Sequence, residues 1–136
     1  MTVLIKSNQK VPKTLQGFFN RAWQWAARPE FKPCVDEYGE CKYRSNDGNN
    51  ACFIGACIPD KLYTENMEEM EAPASLWSLT KRLGITVSTA LLGELQRCHD
   101  ETATLTQPAK AARARLRAFA RYHDLKIPIN KKTYEL

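Results

Sequence analysis

The centre of this chain is a stretch too broken to be one regular element. Residues Cys41 to Tyr63, CKYRSNDGNNACFIGACIPDKLY, hold an Asp-Gly turn, two glycines, a Pro-Asp break and three of the five cysteines. Asp-Gly favours a tight turn, and Pro59 removes a backbone donor, so neither a long strand nor a long helix runs through the segment. On both sides the apolar residues recur at the helical period. The expectation is a mainly α, compact domain of about four principal helices with a small irregular or two-stranded insert near residues 34–50. At 136 residues the chain is long enough to bury a core without staples. We read it as a single domain, 1–136, with an N-terminal aromatic helix about 12–28, a Cys-rich central motif 34–63 and C-terminal helices about 73–123.

Before the centre, TVLIK at residues 2–6 reads as a short edge strand or a segment lying on the core. Pro12 suits the first turn of a helix. Leu15, Phe18, Phe19, Ala22, Trp23 and Ala26 then make one broad apolar face, with Trp25 at its edge. Such a stripe is more often core than docking surface, and Arg28-Pro29 ends the helix. Within the centre, CKYR reads as a short strand between turns at Tyr38-Gly39 and Asn46-Asp47-Gly48. ACFIGACI has two readings, the second strand of a hairpin or a helix capped by Asn49 or Asn50. Its Ala and Gly residues are poor strand formers, which favours the helix. TENMEEME reads as an exposed loop or frayed helix, and Asp60 as the cap of a short turn before it.

After the centre, Ala72-Pro73 opens a helix with Leu76, Leu79, Thr80 and Leu83 on one face, closed by Gly84. Ser88 caps the next, which turns Leu91, Leu92, Leu95, Cys98 and His99 to one side. The last starts near Pro108 and buries Ala109, Ala112, Leu116, Phe119 and Ala120, and the chain beyond His123 reads as extended.

Charge is unevenly spread within a net balance of +5. From Lys110 to Lys132 eight cations face one acid, Asp124, while Glu65, Glu68, Glu69 and Glu71 collect elsewhere. A basic end of this kind fits either an acidic partner, nucleic acid or protein, or a solvated helix face. The N-terminus lacks a secretory signal and no stretch is long enough to span a membrane. An odd number of cysteines without an export signal points to free thiols in a reducing cytoplasm rather than a disulfide framework.

Several constellations could carry chemistry. On the helix reading Cys52 lies in a first turn, where the dipole stabilises a thiolate. His99, on an apolar helix face, would be its base and Asp100 its orienter, the generic plan of thiol catalysis. The opposing reading makes Cys52 a small core residue and His99 a satisfied core histidine. Cys34, Cys41, Cys52 and Cys57 are weak zinc ligands, because only the last pair approaches knuckle spacing. The second dipeptide, His123-Asp124, lacks the further ligands that a metal-dependent phosphohydrolase needs. Tyr43, Arg44 and Asp47 around the turn could bind an anion or a partner, as could the stripe Arg113, Arg117 and Arg121. No phosphate loop, nucleophile elbow or metal helix is present, and no cofactor is called for.

The central pattern also resembles a family of short phage, prophage and bacterial proteins without an assigned reaction. That family shows Cys-x-Tyr-Arg, a polar turn with Gly, Cys-x-x-Gly-x-x-Ile-Pro-Asp, and a later leucine-rich helix ending in His-Asp or Asn-Asp. The matching residues are Cys41, Tyr43, Arg44, Gly48, Cys52, Gly55, Ile58, Pro59, Asp60 and Tyr63, with His99 and Asp100 downstream. The resemblance implies that Cys52 and His99-Asp100 act as one constellation. It also implies a protein acting on host machinery or defence; a host protein is the expected partner, and the basic C-terminal helix makes nucleic acid the other. The leading expectation is therefore a binder and inhibitor of a host macromolecule, and the alternatives are a cysteine-dependent hydrolase or transferase and a structural zinc or nucleic-acid-binding module.

Overall fold

The computed structural model of the chain describes residues 10–59, 62–64, 66–69 and 74–128. The fold is mainly helical, as the periodicity predicts. Its helices are α1 (Leu15–Ala26), the four-residue α2 (Asn66–Glu69), α3 (Ala74–Leu83), α4 (Thr89–Asp100) and α5 (Pro108–Tyr122). Of these α1, α3, α4 and α5 are the principal ones. The edge-strand expectation at residues 2–6, the turn cap at Asp60 and the side chains of Leu76 and Leu79 lie outside the described residues.

Local chemistry sets the helix ends. Thr14, not Pro12, starts α1, its hydroxyl accepting from the Gly17 N–H at 3.0 Å. Ser88 caps α4 by accepting from Ala90 and Leu91 N–H groups, satisfying donors that no intrahelical carbonyl can reach. Pro108 occupies the first turn of α5. Asp124, with φ +55°, turns the chain away after α5.

α1 and α5 run antiparallel. Arg113 near the start of α5 donates to the Ala26 carbonyl at the end of α1. At the other end Lys126 N–H donates to the Gln16 side chain. Between them Phe19 stacks on Phe119 with centroids 6.2 Å apart and on Trp23 at 6.4 Å, offset contacts that add to area burial. Leu92, Leu95, Leu116 and Phe18 complete the same core. Trp25, expected at the edge of the apolar face, is only 1% exposed.

The insert expected near residues 34–50 is irregular, as one of its two readings has it, whereas residues 51–58 take neither of the forms expected of them. Residues 34–51 make two successive tight turns joined by isolated antiparallel bridges, Val35 to Cys41 and Arg44 to Ala51. The first turn is held by Asp36, whose carboxylate accepts from Tyr38 and Glu40 N–H groups. The second pivots on Gly48, whose φ of +74° excludes most side chains. Residues 51–58 then form no α-helix capped by Asn49 or Asn50 and no strand. They hold one bridge residue, a turn and a single 3-10 turn, Gly55–Cys57.

This irregular piece is buried throughout, Ala51 to Pro59, so its backbone groups need partners that a regular element would have supplied. Side chains supply them. Trp25 Nε1 donates to the Ala51 carbonyl at 2.8 Å, and Ile54 N–H donates to Gln96 Oε1 at 3.0 Å. The Arg44 guanidinium donates to the Gly55 and Ile58 carbonyls. Cys52 N–H reaches the Tyr43 carbonyl at 3.2 Å. Three side chains and one backbone carbonyl thus replace a ladder.

Candidate functional site

The residues singled out in the sequence converge on the C-terminal end of α4, but not in the expected combination. His99 is fully buried and stands edge-on to both Phe31 and Phe53, with centroids 6.3 and 5.4 Å away, while those two rings lie 5.9 Å from each other and complete a triangle. Its Nε2 accepts from the Cys34 backbone N–H at 2.9 Å, and its Nδ1 lies 2.9 Å from Asp100 Oδ1. A backbone N–H can only donate, so Nε2 carries no proton. The proton is therefore assigned to Nδ1, which donates to Asp100. Adjacent helix positions do not normally share a face, yet here the last helical residue bends back to meet its neighbour.

Asp100 is the hub of this network. It accepts from His99, from the Gln96 amide at 2.7 Å and from the Cys41 thiol. Burial is the largest influence and pushes its carboxyl upward, but the hydrogen bonds from His99, then Gln96 and Cys41, together outweigh it, and the group lies below the ordinary value of 3.8. Through Gln96 the hub reaches the central segment, and through His99 and Cys41 it reaches the first turn. Its linkage has a definite sign. A depressed carboxyl stabilises the fold above its unfolded value and loses that contribution as pH falls through the folded value. The stability of the wild type relative to Asp100→Asn should therefore be constant near neutrality and shrink below about pH 4. Urea titrations of both proteins across that range check it, and a gap that widens toward acid contradicts it.

Cys41, not Cys52, is the cysteine that approaches the pair. The ligand atoms of Cys41, His99 and Asp100 lie within 4.8 Å of one another. The first-turn thiolate at Cys52 is corrected on two counts. No helix starts there, and the side chain is 1% exposed with its sulfur accepting from Gly55 N–H at 3.2 Å. Burial pushes the Cys52 thiol well above its ordinary value, only partly offset by that hydrogen bond. Burial likewise raises Cys34 and Cys57 to about 12. Cys41 is exposed as a residue, yet its thiol rises to about 12, first because it is desolvated and then because it faces the Asp100 charge.

The four-cysteine zinc set is also corrected. Cys34, Cys52 and Cys57 do not join Cys41 in the cluster of possible ligands found among the described residues. That cluster, Cys41, His99 and Asp100, fits a cation poorly. A histidine that ligates through Nδ1 carries its proton on Nε2 and donates it outward. Here Nε2 faces the Cys34 N–H, so a metal at Nδ1 would set two hydrogens against each other.

The expected binding residues divide sharply. Arg44, expected on the surface, is 6% exposed and engaged with the central carbonyls. Its guanidinium also lies 5.1 Å from the Tyr63 ring centroid. Tyr43 is half-buried, and its N–H, like that of Arg44, donates to the Glu68 carboxylate at 2.9 Å. Asp47 is exposed and holds the second turn, accepting from Ser45 Oγ and Asn49 N–H. Those bonds, Ser45 first, keep its carboxyl below the usual range. On α5, Arg113 is occupied by the Ala26 carbonyl, Arg117 lies 5.3 Å from the Trp23 ring centroid, and Arg121 is exposed.

Three residues that hold the site were not singled out from the sequence: Gln96, Glu68 and Trp25. Gln96 had a readable signal, since it lies one helical turn before Asp100. Glu68 was hidden in an acidic run, and Trp25 in an aromatic stripe. Beside the turns, an open cleft of about 500 Å³ is lined by Trp25, Arg28, Phe31, Lys32, Cys34 and Asp47 among others. The Arg28 guanidinium lies 4.4 Å from the Trp25 ring centroid there. No described helix is long and apolar enough to cross a membrane. No family model, curated protein or solved structure matches the chain.

Proposed function

We propose that this chain is a phage-type accessory protein that binds and modulates a host macromolecule, in the manner of an inhibitor of a host enzyme or defence complex. One observation carries the choice of binder over catalyst: both ring nitrogens of His99 are engaged, one of them by a backbone N–H. A general base needs a free lone pair within reach of the proton it takes, and that lone pair is spent on Cys34. Cys52 supports the same reading, because a buried thiol held un-ionised is not a nucleophile at neutral pH. What remains exposed suits contact with a partner: the second turn with Asp47, the cleft beside Trp25 and the outer face of α5. The context of a host target rests on the resemblance carried by Cys41, Tyr43, Arg44, Gly48, Cys52 and Gly55.

Iodoacetamide labelling of the folded protein against pH, mapped by mass for each cysteine, tests this reading. Cys52 should stay unlabelled through about pH 8.5, the value of an unperturbed thiol, and react only once urea unfolds the chain. Rapid labelling of Cys52 in the folded protein near pH 7 would sink the binder and revive the thiol enzyme.

A further inference from the structure

We infer that the outer face of α5 is a binding site for single-stranded nucleic acid, with Lys110, Arg117 and Arg121 on the phosphates and Tyr122 as a stacking platform. This rests on the binder reading and goes beyond it by assigning α5 a nucleic-acid partner of its own.

The helix geometry groups the three cations and places Tyr122 about 100° further round the axis from Arg121, across Ala118. At 3.6 residues per turn, Lys110, Arg117 and Arg121 fall within about 40° of one another around the axis. All three are exposed, while Ala112, Leu116, Phe119 and Ala120 occupy the buried side. Arg113 is not part of the row, because it is turned to the Ala26 carbonyl of α1. Beside the row lie Ala114 and Ala118, also exposed. Their single methyl groups allow a phosphate backbone to approach the helix closely.

The electrostatic surroundings favour an anion. Neither residues 10–29, which include α1, nor residues 102–123, which include α5, contain an Asp or Glu. Because these two helices pack against each other, the row has no acid on its own helix or on the α1 side. Glu101 at the margin is taken by Arg115 at 2.6 Å, and Glu94 lies 3.2 Å from His123. The indole of Trp23 beneath Arg117 limits where that guanidinium can go, which lowers the entropy lost on binding.

Tyr122 decides between kinds of polyanion. It is 85% exposed, and its ring stands edge-on to His123 at 4.9 Å. His123 in turn lies 4.4 Å from the buried Phe119, so the exposed ring is braced from the core. An acidic protein surface would use the cations but has no need of a projecting aromatic face. A duplex hides its base faces in the stack. Unstacked bases beside a phosphate chain use both features.

The test is fluorescence anisotropy of the full chain with a fluorescein-labelled oligothymidylate, with the matching duplex and an oligoglutamate as competitors. Three phosphate contacts on a single strand should weaken binding about twentyfold between about 50 and 200 mM salt. Tyr122→Ala should weaken it about tenfold while Tyr122→Phe does not. Lys110→Gln with Arg121→Gln should flatten the salt dependence. Both side chains are exposed, so thermal melting should be unchanged. Absence of binding at the low-salt limit overturns the inference, as does binding indifferent to Tyr122→Ala or stronger to the duplex. Displacement by oligoglutamate at equal charge would reassign the face to an acidic protein. None of these outcomes touches Cys52 labelling, so the binder reading stands or falls separately.

Discussion

Replacing Gly55 with Ala should cost at least about 3 kcal/mol of folding stability, a large share of the margin of about 5–15 kcal/mol typical of a domain. A Cβ built at this position would lie 2.0 Å from the Tyr43 carbonyl oxygen and 2.8 Å from its carbon. Those are backbone atoms, so no rotamer change relieves the clash. Tyr43 cannot retreat cheaply either. Its carbonyl accepts from Cys52 N–H, and its own N–H is held by Glu68. Moving Gly55 instead would pull its carbonyl from Arg44 and the adjoining turn from Gln96. Gly17→Ala is the control. The nearest atom to its Cβ is a side-chain carbon of Pro12 at 3.1 Å, and in α1 the gain in helix propensity of about 1 kcal/mol offsets a small adjustment. Urea unfolding followed by tryptophan fluorescence measures both. A loss below about 1 kcal/mol for Gly55→Ala would mean that the central segment relaxes freely.

His99→Ala should cost about 3–5 kcal/mol. The substitution opens a hole beside the Phe31–Phe53 pair, leaves the buried Cys34 N–H without its acceptor and takes a donor from Asp100. The first two losses follow from full burial, where no water replaces the missing group; the Asp100 side chain is 40% exposed and can turn to water. The result also separates two roles for the residue. Groups kept for catalysis commonly hold back stability, and their removal is neutral or stabilising. Groups that complete a buried network behave in the opposite way. A His99→Ala protein as stable as the wild type would therefore count against the structural role. Combining it with Asp100→Asn in a double-mutant cycle should show coupling, because the two share one hydrogen bond.

These two positions also show how far reading the chain alone can go. The four principal helices were legible because each has an apolar face at one period and local stop signals. Ser88, Gly84, Pro108 and the row Ala112, Leu116, Phe119, Ala120 need only their neighbours to be understood. The importance of the central motif was legible too, from its density of turn residues and cysteines. Its conformation was not. ACFIGACI carries no period, and what holds it is Trp25, Arg44 and Gln96, at sequence distances no local pattern encodes. Arg44 reads as a surface charge until the carbonyls of Gly55 and Ile58 are placed around it.

The same division runs through the site. Sequence alone determined which residue types were available: one histidine on an apolar helix face, a neighbouring carboxylate and several thiols. Tertiary structure decided which thiol met them, Cys41 rather than Cys52, because the bridge from Val35 to Cys41 brings the first turn to the end of α4. It also decided the state of His99, through a backbone N–H from Cys34 that no side-chain pattern could announce. Helical faces follow from neighbours a turn apart, whereas hydrogen-bond partners in an irregular core follow from where distant segments come to rest.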